Sequence, residues 1–399
     1  MPTTSPSTAP LEGWQFDDNS RSSWDILWTC LSAILACTWT ALHLSVPKNR
    51  QPEWRAFTQK VLIWLFVVVY PELTLVNEAV SQFFLAQKTL TNFESAQEEI
   101  DQGAVPPSSV LGEPEWSPES WSLTHAFCVN MRGLALQTKD KRTYVVESRH
   151  VRILLKAGII NYSLFDKRDI DDRSKVDSLA KVFSLIQSIY TTVNLLSRVA
   201  YHLPITPLEI TTLAFLFCPF ISYAFWWKKP KDMSAPILIH LPYNHDSDEM
   251  ASELRDLLTD NREVSLRKEL LGNLCVLLAS LAFSAIHIAA WNSSFPTPAE
   301  RLAWRVLSVI SICLCLPMFL VMQMPFLRGW LASFQLPGLP SFDNPYPDET
   351  KPEIVVLVIL LFTYALARIG TFVLMIMSLR ALPAGSYVSI DWLKSIPHI

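Results

Sequence analysis

The run VLIWLFVVVYPELTLVNEAV, residues 61–80, limits what this chain can become more than any other stretch. It is long enough to cross a bilayer, whose core of about 30 Å takes roughly 20 mostly apolar residues as helix. Yet Pro71-Glu72 sits in its middle. At 1.5 Å per residue, Glu72 lies about 18 Å along such a helix from Lys60. A carboxylate at that depth is expensive, so it faces a protein interior or a wet cavity. Proline removes a helical hydrogen bond and clashes with the previous turn, so the run must kink and free a carbonyl.

Five further apolar runs have span length: 24–46, 208–227, 271–291, 304–322 and 354–379. A seventh, 176–200, is interrupted by Lys181, Gln187, Asn194 and Arg198. The fold class is therefore all-α, a polytopic transmembrane helix bundle of six to seven spans. A large mixed loop lies between spans 2 and 3. The basic loop at 47–60 and the cluster Lys228, Lys229 and Lys231 both read as cytoplasmic. That favours six crossings, with 176–200 in plane or re-entrant; length and helical character favour seven, the preferred count.

Composition agrees. Half of the residues are hydrophobic (50%) and 18% are charged, with a mean hydropathy of +0.24. That is too apolar for an ordinary soluble domain and too charged for membrane spans alone. The net charge of −4 gives no footprint for nucleic acid. The seven cysteines form no CxxC pair and no Cys/His cluster at zinc spacing, so they read as small buried apolar residues. No metal and no cofactor are expected. With 10 glycines and no Walker loop, GxGxxG, HExxH or GxSxG, phosphate-cradling and hydrolase chemistry lack a signal.

Along the chain, 1–22 reads as a disordered N-terminus and 23–85 as the first two spans. Residues 86–175 form a polar loop with an interfacial segment, WSLTHAFCVNMRGLALQ, that could instead pack under the bundle. Residues 176–380 complete the bundle and 381–399 form a tail. KRTYVVESRHVRILLKAGII has the look of a short hairpin or helix. ASELRDLLTDNREVSLRKEL has helical spacing of Leu254, Leu257 and Leu258. Two glycosylation sequons stand at Asn161 and Asn292.

The candidate catalytic residues are Glu72, Glu209 and His125. Glu72 beside a kink is expected to act as an acid able to protonate an epoxide or alkene; a structural hydrogen bond to a neighbouring helix competes with that role. Glu209 follows Pro207 at a helix start, where the helix dipole alone accounts for an acid. Asp25 has the same account, with Ser22 or Ser23 as cap. His125 can serve as acid or base near neutral pH, or be structural. Glu78 lies about 600° of helix rotation beyond Glu72, so the two make a poor pair on one helix. Aromatic faces able to stabilise a cation are offered by Trp64, Tyr70, Tyr190, Trp226 and Tyr364. DDRSKVD at 171–177 lacks the fifth-position acid of a diphosphate–magnesium motif, having Lys175 there, and reads as a charged helix cap.

SWDILWTCLSAILACTWTALHLSVP, the intramembrane YPE, WSLTHAF, DDRSKVD, LPITPLEITTLAF and KKPKDMSAPI occur in that order. Together they resemble a large family of fungal multi-pass membrane proteins, over about residues 20–380. After WSLTHAF, family members tend to continue with an acidic, glycine-rich stretch; here Asn130 stands in CVNMRGLAL. A similarity to membrane-bound terpene cyclases of the ascofuranone type is suspected. The resemblance implies a cyclase or isomerase of fungal secondary metabolism acting on a lipophilic terpenoid substrate by proton-initiated chemistry. The missing diphosphate motif points the same way. A transporter, or a receptor or scaffold without chemistry, is the alternative. The expected partners are the lipid bilayer and a lipophilic small molecule, in the endoplasmic reticulum or another endomembrane; oligomeric state is open.

Overall fold

A computed structural model describes residues 11–16, 21–46, 52–102, 121–156, 167–173, 177–231, 233, 235–241, 266–322 and 351–390. The stretches 242–265 and 323–350, which include most of the expected amphipathic helix and the Pro-rich loop, lie outside the described residues. The fold is mostly helical. Its long helices are α1 (Ser23–Ala41), α2 (Glu53–Val69), α3 (Asn77–Asp101), α7 (Asp177–Ala200), α8 (Pro207–Trp226), α9 (Leu266–Ala289), α10 (Pro298–Met322) and α11 (Lys351–Ser378). Short helices α4 (Leu123–Asn130), α5 (Ser148–Lys156) and α6 (Lys167–Arg173) follow α3. Strand β2 (Leu134–Gln137) pairs antiparallel with β3 (Thr143–Val145) and parallel with β4 (Ile237–His240).

Among the described residues five helices are long and apolar enough to cross a membrane: Ser23–Ala41, Pro207–Trp226, Gly272–Asn292, Pro298–Val321 and Val355–Ser378. A sixth span is reached only if the bent pair Trp54–Val69 and Glu72–Ile100 is counted as one, and its two halves meet at 112°. The kink expected at Pro71 is thus a full break. Tyr70 leaves helical geometry at φ −130°, ψ 57°, and a five-residue π turn, Glu72–Val76, restarts the chain.

The break turns the chain back on itself. Trp64 of α2 donates to Thr38 Oγ1 near the end of α1, at 2.9 Å. On the other side of the break, Gln82 of α3 accepts from Lys229, just beyond α8. Lys229 also donates to His43 O, just beyond α1, at 2.8 Å. Both flanks of Glu72 therefore sit at the end of the bundle where α1 and α8 finish. The run 61–84, expected as one crossing, is therefore two helical pieces bent at Pro71, both of which contact residues near the finishes of α1 and α8.

That end carries a cap. The second half of α3, α4 to α6 and the three-stranded sheet share a core of Phe93, Trp121, Leu134, Leu154, Ile170 and Ile239. Burial of this patch drives the polar loop to fold. The segment at 121–137 packs under the bundle, as Ala126 and Phe127 join α1, α2 and α3 residues in one cluster.

At the opposite end, the starts of α1, α8 and α10 meet the finishes of α9 and α11 around buried Trp304, Leu208, Met375 and Tyr387. Here β5 (Leu382–Pro383) pairs with β1 (Leu11–Glu12), inside the stretch expected to be disordered. Exposed Trp24, Trp28, Tyr201 and Trp291 ring this tail end, and exposed Trp54 and Trp227 mark the capped end.

Helix α7 runs antiparallel to α1 along most of its length. Ser184 meets Thr40 at 2.9 Å, Ser188 meets Cys37 at 2.6 Å, and Gln187 meets Ser32 at 3.5 Å. Its outer face exposes Val182, Phe183, Ile186, Ile189, Leu196 and Val199. Its polar residues face inward, the reverse of a water-exposed helix.

Candidate functional site

The break at Tyr70-Pro71 delivers Glu72 into the middle of the helical bundle, where it is fully buried. It is not the lone acid expected. Tyr364 on α11 donates its hydroxyl to Glu72 Oε1. Arg368, one turn further on, pairs with the same oxygen at 3.2 Å and also donates to the Tyr364 hydroxyl. The Arg368 guanidinium lies 3.9 Å from the Phe283 ring centre and 3.5 Å from His287 Nε2. His287 in turn bonds Phe283 O through Nδ1 at 2.9 Å. Tyr70 stacks on Tyr364 with ring centres 5.8 Å apart and donates to Leu361 O at 2.9 Å.

This cluster is incompletely satisfied. Oε2 of Glu72 and Nε of Arg368 are buried without a hydrogen-bond partner. Buried polar atoms are paired as a rule, so each orphan carries a cost. Beside them lies a recess lined by Glu72, Leu73, Asn77 and residues of α9, α10 and α11. The centres of water-sized molecules have about 20 Å³ in it. That is room for a water or one small polar group.

Glu209 and His125 are elsewhere. Glu209 is the third residue of α8: Thr206 caps the helix, accepting from Glu209 N at 3.2 Å, and Glu209 Oε2 accepts from Thr206 N at 2.9 Å. This reciprocal box satisfies two orphan donors. Glu209 also pairs with Arg21 at 2.5 Å and Arg198 at 3.8 Å. Burial works against the Arg21 charge, but the Glu209 carboxylate outweighs it and lifts that guanidinium above its ordinary value. Arg198 donates to the carbonyls of Pro204, Gly385, Ser386 and Val388, at 2.9 to 3.3 Å. Asp25 and Ser22 form a second capping box at the start of α1.

His125 caps α4. Its Nδ1 accepts from Ser122 N at 3.0 Å, and its ring stacks on Trp121 at 5.8 Å. The three expected catalytic residues are thus not brought together. Of the expected aromatics, only Tyr70 and Tyr364 reach Glu72; Trp64, Tyr190 and Trp226 line other contacts. Glu78 hydrogen-bonds Gln82, which bridges to Lys229, in a polar chain at the capped end. Arg368 is the missed member; His287, expected from the sequence as a hydrogen-bonded histidine within a span, joins the cluster through Arg368. The signal for Arg368 was an arginine alone inside an otherwise apolar run.

Among the described residues no group of His, Cys, Asp or Glu is placed to hold a metal ion. All seven cysteines are free, and Cys30, Cys37, Cys128, Cys218 and Cys315 are buried. Asn292 is exposed at the tail end, whereas Asn161 lies outside the described residues.

The apolar helices and the charged centre between them define the class: a helical protein compatible with multi-pass membrane insertion, with a buried acid at a helix break. The chain belongs to a family of unknown function, DUF8562, which it matches over residues 1–257 and 260–399. No curated protein and no solved structure matches it.

Proposed function

We propose that this chain is a membrane-embedded cyclase or isomerase that moves a proton on a lipophilic, terpenoid-class substrate at Glu72 and Tyr364. The observation that carries this reading is the buried, unpartnered Oε2 of Glu72 beside a recess. A carboxylate whose other oxygen is held by a phenol and an arginine has one oxygen left for a substrate. Paired with Arg368, Glu72 begins as the acceptor: it takes a proton from the substrate and returns it at another atom. Ring closure and double-bond migration both return the proton they borrow, so the reaction needs no redox cofactor. Tyr364, bonded to the same carboxylate, holds its position and supports the charge change.

The proposed setting is six crossings, by α1, α7, α8, α9, α10 and α11, with the α2–α3 hairpin re-entrant. Three features support it. Helix α7 follows α1 over most of its length with an apolar outer face. Exposed tryptophans mark both ends, as membrane interfaces favour. Arg55, Lys60, Arg142, Arg149, Lys167 and Lys228 gather at the capped end, which by the charge rule favours a cytoplasmic setting for that end and a lumenal one for the tail end. A glycan at Asn292 and none at Asn161 is the expected pattern.

The test is Glu72→Gln in the native host at equal protein level, with extracted metabolites compared by mass spectrometry. Accumulation of one precursor supports the reading. An unchanged profile removes chemistry from Glu72 and leaves a second reading, favoured by the ion pair to Arg368: a latch that holds the re-entrant hairpin to α11 in a scaffold.

A further inference from the structure

The recess is graded along its depth. Glu72, Tyr364, Ser280 and Cys315 line it at the level where the chain breaks. Val276 and Leu277, one turn back along α9, and Met318, on the antiparallel α10, form apolar walls. Asn77, Asn273 and Phe319 lie nearest the capped end and are partly exposed. The depth order follows from helix direction: α9 runs from Asn273 to Ser280 away from the cap, and α10 runs from Cys315 to Phe319 towards it. Ser284 and Cys315 meet at 3.6 Å, which fixes that antiparallel register.

We propose that this recess binds an apolar molecule by a single hydroxyl, which donates to Glu72 Oε2 while the hydrocarbon lies along the walls and out past Phe319 towards the capped-end leaflet. This rests on the reading of Glu72 as the functional centre and names the substrate class for it. Three properties select the ligand. Oε2 is an acceptor with no donor, so the complementary group is a donor. The deep space is water-sized, so the donor is a hydroxyl rather than a ring or a diphosphate. A diphosphate would also face a carboxylate. Arg368, whose Nε has no partner, does not line the recess, and its other two nitrogens are held by His287, Glu72 and Tyr364. An isoprenoid alcohol or a prenylated alcohol fits; an isoprenoid diphosphate does not.

The test uses the full-length protein in lipid nanodiscs and two photoreactive probes. One is a diazirine-bearing C15 isoprenoid alcohol, and the other is the same molecule with methyl in place of hydroxyl. The alcohol is expected to label α9 and α10 about tenfold more than its analogue, the worth of one hydrogen bond to a charged acceptor. Glu72→Leu, combined with Arg368→Met so that no buried charge is stranded, should erase that preference, because no carboxylate is left for the ligand hydroxyl. Val276→Phe fills one wall without touching the ion pair and should abolish labelling by both probes. Equal labelling by the two probes overturns the proposal, and so does labelling that survives Val276→Phe. Alcohol-selective labelling in wild type, with an unchanged metabolite profile in Glu72→Gln, keeps the binding site and discards the catalytic reading.

Discussion

Among the described residues two buried acid–arginine clusters stand out, and they are finished to different degrees. At the tail end, Glu209 sits between Arg21 and Arg198, inside a capping box, and Arg198 spends its remaining donors on four backbone carbonyls. None of the three leaves a buried polar atom unpartnered. At the helix break, Glu72 and Arg368 each leave one. A saturated cluster is a joint: every donor is committed to holding backbone segments together. An unsaturated one, with a recess beside it, has capacity left for something outside the chain. Burying charge is costly in either case, so the open cluster must be tolerated for a reason other than stability.

The sharpest way to break this comparison is Arg198→Met. It takes the Arg198 donors from four carbonyls and one of two cations from Glu209 at once. It should cost at least the roughly 3–5 kcal/mol of a broken buried pair and abolish a cooperative melt in detergent. Restoring charge balance with Glu209→Leu should not rescue it, because the carbonyls of Pro204, Gly385 and Val388 still lack the Arg198 donors.

Arg368→Met is the matching cut at the open cluster, again at about 3–5 kcal/mol because Glu72 is left charged and buried. Here the double variant Glu72→Leu/Arg368→Met should return to within about 1 kcal/mol of wild type, since a packed apolar pair replaces a buried ionic one at little cost. Thermal unfolding of the single and double variants in parallel decides it. A double variant as unstable as the single one makes the centre a joint like the other.

Tyr364→Phe comes next. Removing one hydrogen bond to a charged group should cost about 1.5–3 kcal/mol of stability. Turnover should fall by about 10²-fold or more if the phenol assists proton transfer. Tyr387→Phe, which loses contacts to Ser23 and Gly13 O at the tail end, should move the melting temperature and leave metabolites alone. The smallest expected change is Thr206→Ala, about 1 kcal/mol from a lost cap, with no metabolic phenotype.

How much of this was legible beforehand follows from range. Caps are local: a hydroxyl three residues before an acid announces the boxes at Ser22-Asp25 and Thr206-Glu209. The break at Pro71 is local too, because a missing N–H and a steric clash act within one turn. Arg368 stands 296 residues from Glu72, and no periodicity links them. Helix α7 was doubtful because hydropathy averages its two faces, while its polar face is turned inward against α1. The size of the bend in the second run was not legible, because length and composition do not register direction: the same residues serve a kinked helix or two pieces turned through 112°.

The closure of the tail end also sets a schedule. The Arg21 guanidinium meets Glu209 first, but its other partner, the Ser386 carbonyl, comes 365 positions later in synthesis. At about 5–20 residues per second, the first helix therefore waits roughly 20–70 s for the strand that completes its base. Throughout that interval Arg21 and Ser23 lack their contacts with Ser386 and Tyr387, although the helices between have already been made. Any surveillance that inspects this end of the molecule would read the arrival of that segment, and a chain released before it would display its unfinished state there.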